Sequence, residues 1–561
     1  MTPSVPKPTV PRRARAVLAA VAVALAIPAN ALAVDGFQTA APSMVKSTEI
    51  VAGVEFVPLI NVGEGEELFG TLFEGIPDGI GVVPGPGGQG WVDMYVAHEQ
   101  SHVPFGTLPT NVFADLQDSS VTRLRIDVAS QSIMAMDVAL PASAGFIRFC
   151  SAFMAGPEHG FPHYTFMVNE ESNDVIPVVA GAPYGADPSA PAGRRQAGFA
   201  VSLDTRTGQY DALEGQGRHN HENTVIVPGG WQKQIVGLSG DDTFTSTSSP
   251  QRPNLSQLYM SISKHWRSFQ QDKGALYGFR VTGTGGDAID PEDPFNGAND
   301  VFDIGLGDTW SGEFIEVDPA VARGDNAGTL PQDDLEDWSN TNNAFQFIRV
   351  EDIAYDPDNP RVLYFADTGN TRLYPDPATG RLWRVPSGSP LTPQLSSSGR
   401  IYKMVLNASD PTKVDEFSIF TDGGTGTGQV PMRAPDNLDV GHNSIMVQED
   451  ASNAKIWMHS LGAAPNAWTH VATVDQDQDG ATSDLGESSG IVDVSRWFGA
   501  GWWALDVQAH ASIIGGVEVP NNQFLDPTFR PWTDGPPPPG GNLYRLRREA
   551  GQLLLMKVPG S

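Results

Sequence analysis

Cysteine is all but absent: one thiol, Cys150, in 561 residues. No disulfide can form within the chain, so stability has to come from packing or from bound metal. Basic residues are scarce too. The 35 Lys and Arg face 66 Asp and Glu, a formal charge of −31, which would repel a nucleic acid over most of the surface and makes cations the favoured partners. Beyond Ile27 no apolar run approaches the roughly 20 residues that a membrane-spanning helix needs. Amphipathic helical patterns are few, whereas glycine (60) and proline (45) abound. Short strands separated by turns, an all-β chain, are the consequence.

The first residues read as an address. Lys7, Arg12, Arg13 and Arg15 precede the apolar run Ala16 to Ile27, and Ala31-Leu32-Ala33 supplies a cleavage site, so residues 1–33 are expected to be an export signal. The Arg12-Arg13 pair permits the twin-arginine route. A periplasmic or extracellular protein is therefore expected, monomeric and without membrane insertion once the signal is removed, with residues 34–561 forming one domain.

The rest of the chain repeats one grammar, clearest in FIRVEDIAYDPDNPRVLYFADTGN, from Phe347 to Asn370. Two short apolar strands flank the turn Pro357-Asp358-Asn359-Pro360, and charged side chains sit at the strand ends, where a scaffold can aim them into one site. Six strands open on a polar or metal-capable residue: Asp78, Cys150, Glu222, Glu351, Asp436 and Glu487. Six more close on Glu99, Glu171, Asp242, Asp367, Asp450 and Gln508. A weaker repeat of glycine followed by Leu or Ile and an aromatic recurs at 274–278, 380–384, 399–403 and 541–545. Short meanders with recurrent glycine and aromatic positions predict a six-bladed β-propeller with long loop insertions. The largest insertion, around 285–340, is rich in Asp, Gly and Pro and reads as an excursion over one face or a lid. The final GNLYRLRREAGQLLLMKV is expected to close the ring against an early strand.

An acid at a strand end is ordinarily a turn residue. Six in register are different, because in a propeller the innermost strands run side by side around an axis. Asp78, Cys150, Glu222, Glu351 and Asp436 would then form an anionic ring whose mutual repulsion is tolerable only with bound cations.

The segments AHE (97–99), FCSA (149–152), VNEE (168–171), GRHNHE (217–222), GALYGFRV (274–281), RVEDIAYDP (349–357), GRIYK (399–403), APDNL (434–438) and VQAH (507–510) resemble, in order and type, the PhoX-type secreted alkaline phosphatases. The resemblance spans most of the mature chain. It implies a six-bladed propeller with an axial pocket for Fe³⁺ and Ca²⁺ that hydrolyses phosphate monoesters, with small phosphorylated molecules as substrates. Carried over residue by residue, Cys150 looks like the iron-ligating thiolate, Glu222 and Glu351 like iron and calcium carboxylates, Glu99 like the early His-Glu carboxylate and Arg349 like the phosphate-binding arginine. Ala97 stands where the family has Asn, and the loop SAFMAGPEHGFPHY replaces a glycine-rich one, which implies a distant branch.

Residue chemistry agrees with this assignment. Clustered metals neutralise a phosphate dianion, generate an oxygen nucleophile and stabilise the leaving oxygen. Carboxylates suit Ca²⁺, and a thiolate among them favours a metal such as iron. The expected metal ligands are Glu99, Cys150, Glu171, Glu222, Glu351 and Asp436; Arg349, Glu351 and Glu222 are the expected catalytic groups, and Arg349, His98 and Asn437 the expected substrate contacts. Arg349 can grip two phosphate oxygens, or it can instead pair with Asp352 or Asp356. His98, His219 and His221 either orient the leaving group or hydrogen-bond behind the ligands.

A separate calcium loop is expected at Asp475, Asp477, Asp479, Asp484 and Glu487, where alternate carboxylates precede Gly480. Two other functions fit the same grammar: a calcium-dependent lactonase or esterase with one axial ion and no role for Cys150, and a non-catalytic calcium-binding propeller.

Overall fold

The computed structural model describes residues 36–88, 90–99, 119–231, 233–243, 253–370, 372–386, 388–475, 486–509, 511–514, 517–520 and 551–561. The chain divides at Gly36, so the expected signal, like most of the calcium loop (476–485) and the fourth glycine-aromatic segment (541–545), lies outside the described residues. No helix among the described residues is long and apolar enough to cross a membrane.

Antiparallel meanders dominate, as the turn-rich composition requires. In the first sheet, Pro77–Pro84, Trp91–His98, Ser120–Asp127 and Ser132–Leu140 lie side by side in chain order. Phe149–Ala155, Thr165–Glu170, Ala200–Asp204 and Tyr210–Leu213 repeat the plan. So do Pro435–Val440, Ser444–Glu449, Lys455–Ser460 and Trp468–Val474, with Val45–Ser47 added at the outer edge. The last sheet is closed by the N-terminal strand: Glu55–Asn61 pairs with Gly551–Lys557, which pairs in turn with Trp502–Ala509 and so with Gly486–Asp493. The ring closure expected of the C-terminal segment is thus made by QLLLMK, whose Leu553, Leu554, Leu555 and Met556 are wholly buried because both faces of the strand are covered.

Besides three two-stranded ribbons, the remaining described strands form one ten-stranded sheet, in which Asp287–Ala288 pairs only with Ala275–Thr284. Its path runs from His221–Ile226 through Ile235–Asp241, Leu258–Ser263 and Ala275–Thr284, crosses Trp310–Glu316, and returns through Lys413–Asp422, Arg400–Leu406 and Asn359–Asp367 to Val350–Asp356. Its first and last strands pack together, so it is a nearly closed barrel. The architecture is therefore four propeller blades plus this barrel. The expected division into six blades is not what the sheets display, because Trp310–Glu316 welds two meanders into one.

That welding strand comes from the 285–340 excursion, which is not a loose lid. Helix Pro331–Thr341 buries Leu335 against Tyr259, Leu276 and Val317. Gln332 and Glu336 of the same helix are also buried.

The innermost strands close a ring: Pro77–Pro84 packs on Phe149–Ala155, and contact continues through His221–Ile226, Val350–Asp356, Pro435–Val440 and Gly486–Asp493 back to the first. Their approach is tight. A Cβ on Gly79 would lie 2.3 Å from Ala152 N, and one on Gly490 would lie 2.5 Å from Asp78 O. Gly79→Ala is therefore expected to cost about 1–3 kcal/mol. Gly185→Ala, with nothing within 4 Å, is expected to be neutral. Denaturant titration checks the pair, and equal stability of the two variants would refute the close-approach argument.

Candidate metal centre

Each strand of the ring places its second residue at one cavity of about 330 Å³: Asp78, Cys150, Glu222, Glu351, Asp436 and Glu487. A β-bulge aims five of them. The register of each of these strands against its neighbour slips by one residue immediately after the first position, between Pro77 and Ile80, Phe149 and Ala152, His221 and Thr224, Val350 and Ile353, and Pro435 and Leu438. The extra residue breaks the strict alternation of faces and turns the second side chain toward the axis. The backbone just upstream is strained at three of these sites, where Ile76, Arg148 and Ala434 hold φ near +45°.

The neighbouring strands deliver a second layer of groups. Glu99, Glu171, Asp242, Thr368 and Asp450 follow their strands directly, and each donates its N–H to the carbonyl two residues ahead of the facing axial residue, at 2.8–3.1 Å (Ile76, Arg148, Asn220, Arg349 and Ala434). The cavity lining thus gathers nine carboxylates, one thiol, two guanidinium groups and Gln508. Within it, ligand atoms come within 4.8 Å of one another in the sets Asp78-Glu99-Cys150, Cys150-Glu171-Glu222, Glu222-Glu351-Asp436 and Asp436-Asp450-Glu487.

Cys150 Sγ lies 3.3 Å from both Asp78 Oδ2 and Glu222 Oε1. Burial, and then these carboxylates, push the thiol well above its ordinary range. Burial likewise raises Asp78 to about 6, and it raises Glu171, Glu222, Glu351, Asp436 and Glu487 further, with like-charged neighbours adding to the shift. Gln508 Nε2 donates to Asp78 Oδ2 at 2.8 Å and Glu99 Oε1 at 2.9 Å. Thr368 Oγ1 stands 2.6 Å from Glu351 Oε1.

Two arginines face the cluster. Arg349 donates through Nε and Nη2 to the two oxygens of Asp242 at 2.7 Å each, with Glu351 at 3.2 Å and Asp450 at 3.4 Å. Although burial pulls its pKa down, Asp242 and Glu351 hold it well above the usual value. Arg148 sits 3.7 Å from Glu99 and from Glu171.

Glu99, Cys150, Glu171, Glu222, Glu351 and Asp436 are thus brought together, with Arg349 beside them. His98 is not, and Asn437 lies outside the cavity lining although its side chain reaches Asp78. His98 is buried with Nε2 2.9 Å from Thr122 Oγ1 and its ring against Phe73, because it faces opposite to Glu99. Asn437 donates to Ser151 Oγ at 2.5 Å and accepts from Ser489 Oγ at 2.9 Å, below the cluster. His219 and His221 are buried and stacked on each other. Glu487, expected in a peripheral calcium loop, belongs to the axial cavity. Asp475 instead pairs with Lys46 Nζ at 2.5 Å, and Asp477, Asp479 and Asp484 lie outside the described residues. Asp367 is also displaced: it accepts the N–H groups of Ile348, Arg349 and Gly369, and Thr368 reaches the cluster only through its bond to Glu351. Arg148 went unnoticed in the sequence, although it precedes Cys150 by two residues, as Arg349 precedes Glu351. The alternative partners of Arg349, Asp352 and Asp356, do not pair with it.

Fold and cavity together define a class: β-meander rings that converge carboxylates and a thiol on an axis as a candidate metal site. No protein-family model matches the chain, and no curated protein sequence is significantly similar to it. Among solved structures, Pseudomonas fluorescens PhoX in complex with vanadate, a transition state analogue, aligns over 93% of this chain and 97% of its own, at TM-score 0.54 and 14% identity. The chain thus shares a PhoX-like fold. A prolyl endopeptidase structure (TM-score 0.27, 11% identity, 78% of this chain and 40% of that one) also aligns, too loosely to inform the site.

The raised carboxyl pKa values carry a sign. In protein without cations, Asp78 withdraws stability as pH rises from the ordinary 3.8 toward about 6, and the more strongly shifted acids continue the loss above that. Buried neutral His98, His219 and His221 act in the opposite direction at low pH, so the clean observable is a difference. The Tm gap between calcium-saturated and chelated protein is expected to be small near pH 5 and to widen through pH 6 to 8. A gap that does not change with pH contradicts a cation site here.

Proposed function

We propose that the protein is a metal-dependent phosphatase that hydrolyses phosphate monoesters at the axial cavity, on a scaffold of six meanders in which the barrel counts as two fused blades. The observation that carries this reading is the confinement of nine carboxylates, Cys150 and two arginines in one cavity. The PhoX-like fold supports it.

The donor set fits an iron and calcium cluster. Cys150 with Glu222, and Glu171 or Asp78 alongside, offers a thiolate-bearing set suited to iron. Glu351, Asp436, Asp450 and Glu487 offer oxygen-only sets suited to calcium. Asp78 Oδ1 is buried without a hydrogen-bond partner, as a ligand awaiting a cation would be. Such metals, when bound, supply Lewis acidity and a nucleophilic oxygen near neutral pH.

The chain's own groups do the rest. Arg349, its fork held by Asp242 and its side chain 19% exposed, binds phosphate oxygens and orients the ester. Arg148 offsets charge on the opposite flank. Thr368 holds Glu351 in one rotamer. The thiol's position between Asp78 and Glu222 favours this reading over a lactonase with an idle cysteine.

Elemental analysis paired with hydrolysis of a generic aryl phosphate tests the proposal. Coloured protein containing iron and calcium is expected, with activity abolished by chelator. Cys150→Ala is expected to lose iron and activity with little change in fold, and its full activity would exclude the thiolate role. Arg349→Lys, which keeps charge but loses the fork, is expected to reduce kcat/KM roughly a hundredfold at unchanged metal content. An unaltered kcat/KM would remove Arg349 from substrate binding.

A further inference from the structure

Past the bulges, the same axial strands line a second cavity of about 570 Å³, a volume suited to a small organic molecule. Its character is opposite to that of the cluster. Ala152, Met154 and Val492 are its partly exposed aliphatic residues, and Phe153, Tyr355 and Trp497 add aromatic rings.

The polar groups on this wall favour a cation. Asp352, Asp439 and Asp493 face the cavity. Arg496 is the one Lys or Arg among the lining residues, two-thirds exposed and 3.9 Å from Glu158. His442 is exposed and sits 3.1 Å from Asp358. His159 is neutral: Nδ1 accepts the Gly156 N–H at 2.9 Å, Nε2 lies 2.7 Å from the Tyr355 hydroxyl, and burial lowers its pKa to about 4.

One buried acceptor has no partner. Asn223 is 1% exposed and lines this cavity; its Nδ2 donates to Asp352 and to the Ile353 carbonyl, while Oδ1 accepts nothing. That oxygen is sealed inside the cavity wall, which leaves recognition to the partly exposed Asp439 and Asp493.

We propose that this second cavity binds an amphipathic organic cation, a small ammonium on an apolar or aryl body. The ammonium engages the partly exposed Asp439 and Asp493 carboxylates, and the body lies against Phe153 and Tyr355, where a ring face also attracts positive charge. An anion of the same shape is rejected by the carboxylates. The site does not depend on the phosphatase reading.

Calorimetric titration of the calcium-saturated full-length protein near neutral pH tests this inference, with 2-phenylethylammonium, 2-phenylethanol and 3-phenylpropionate as probes. Saturating calcium occupies the axial cluster and keeps the cation from reading out that site instead. The ammonium is expected to bind saturably, at least about tenfold tighter than either isostere, and without competition from vanadate. Val492→Trp, which fills the cavity from a partly exposed position, is expected to abolish binding, and Asp439→Asn to weaken it about tenfold. Absence of ammonium binding, equal binding of the propionate, displacement by vanadate, or unchanged binding to Val492→Trp would each overturn the proposal.

Discussion

Repulsion between like charges is the constraint around which this molecule is built. Carboxylate oxygens within 4.8 Å of one another repel by roughly 3–4 kcal/mol per ionised pair at an effective dielectric near 20. Nine carboxylates line the cavity, so full ionisation without counter-charge would exceed the 5–15 kcal/mol that typically holds a domain together. Two arginines offset only part of this. The remainder is met by keeping protons on the acids or by admitting cations, and the upward displacement of Asp78, Glu222, Glu351 and Asp436 is the first of these responses.

Such a site has to be imposed by the backbone, since the side chains alone would disperse it. The ring imposes it in three ways. Strands approach too closely at Gly79 and Gly490 for any side chain, so the axial spacing is fixed by main-chain contact. A bulge at the mouth of five axial strands re-aims one residue. A recurrent N–H to carbonyl bond clamps each following strand end to the turn ahead of its neighbour. The outer apolar layers make this rigidity possible: the sheets bury aliphatic and aromatic side chains on both faces, and the N-terminal strand locks the last sheet.

The sequence revealed the axial ends better than it revealed the sheets. Openings such as Asp78, Cys150 and Glu351 were legible because a polar residue before an apolar run is a local signal, and all six openings line the cavity. Where face alternation decides, local reading failed. His98 adjoins Glu99 but points the other way, and a bulge cannot be seen in a single strand without its partner's register. Thr368 was passed over for Asp367 because both stand at the strand end, and only the three backbone N–H groups that Asp367 caps explain its absence from the cavity. The fused barrel was hidden for another reason: Trp310–Glu316 sits in a stretch whose acidic, Gly- and Pro-rich composition resembles a loop, and its strand character comes from pairing with Ala275–Thr284 and Lys413–Asp422.

Two cavities of opposite chemistry share the same six strands, and what separates them is a neutral polar layer. Asn437 bridges Ser151 and Ser489, and Asn223 ties Asp352 to the neighbouring strand. Ser151, Asn223 and Asn437 sit one position beyond the axial residues, the place that the bulge leaves facing down the ring, and Asp352, at the same position, is held by burial well above the ordinary carboxylate range. Charged residues there would extend the repulsive cluster through the whole axis. Apolar ones would strand the buried polar edges of the bulged backbone. Uncharged donors and acceptors satisfy the backbone and interrupt the charge, so the dense cluster of carboxylates ends within one residue and a cavity with more apolar walls and only scattered acids begins.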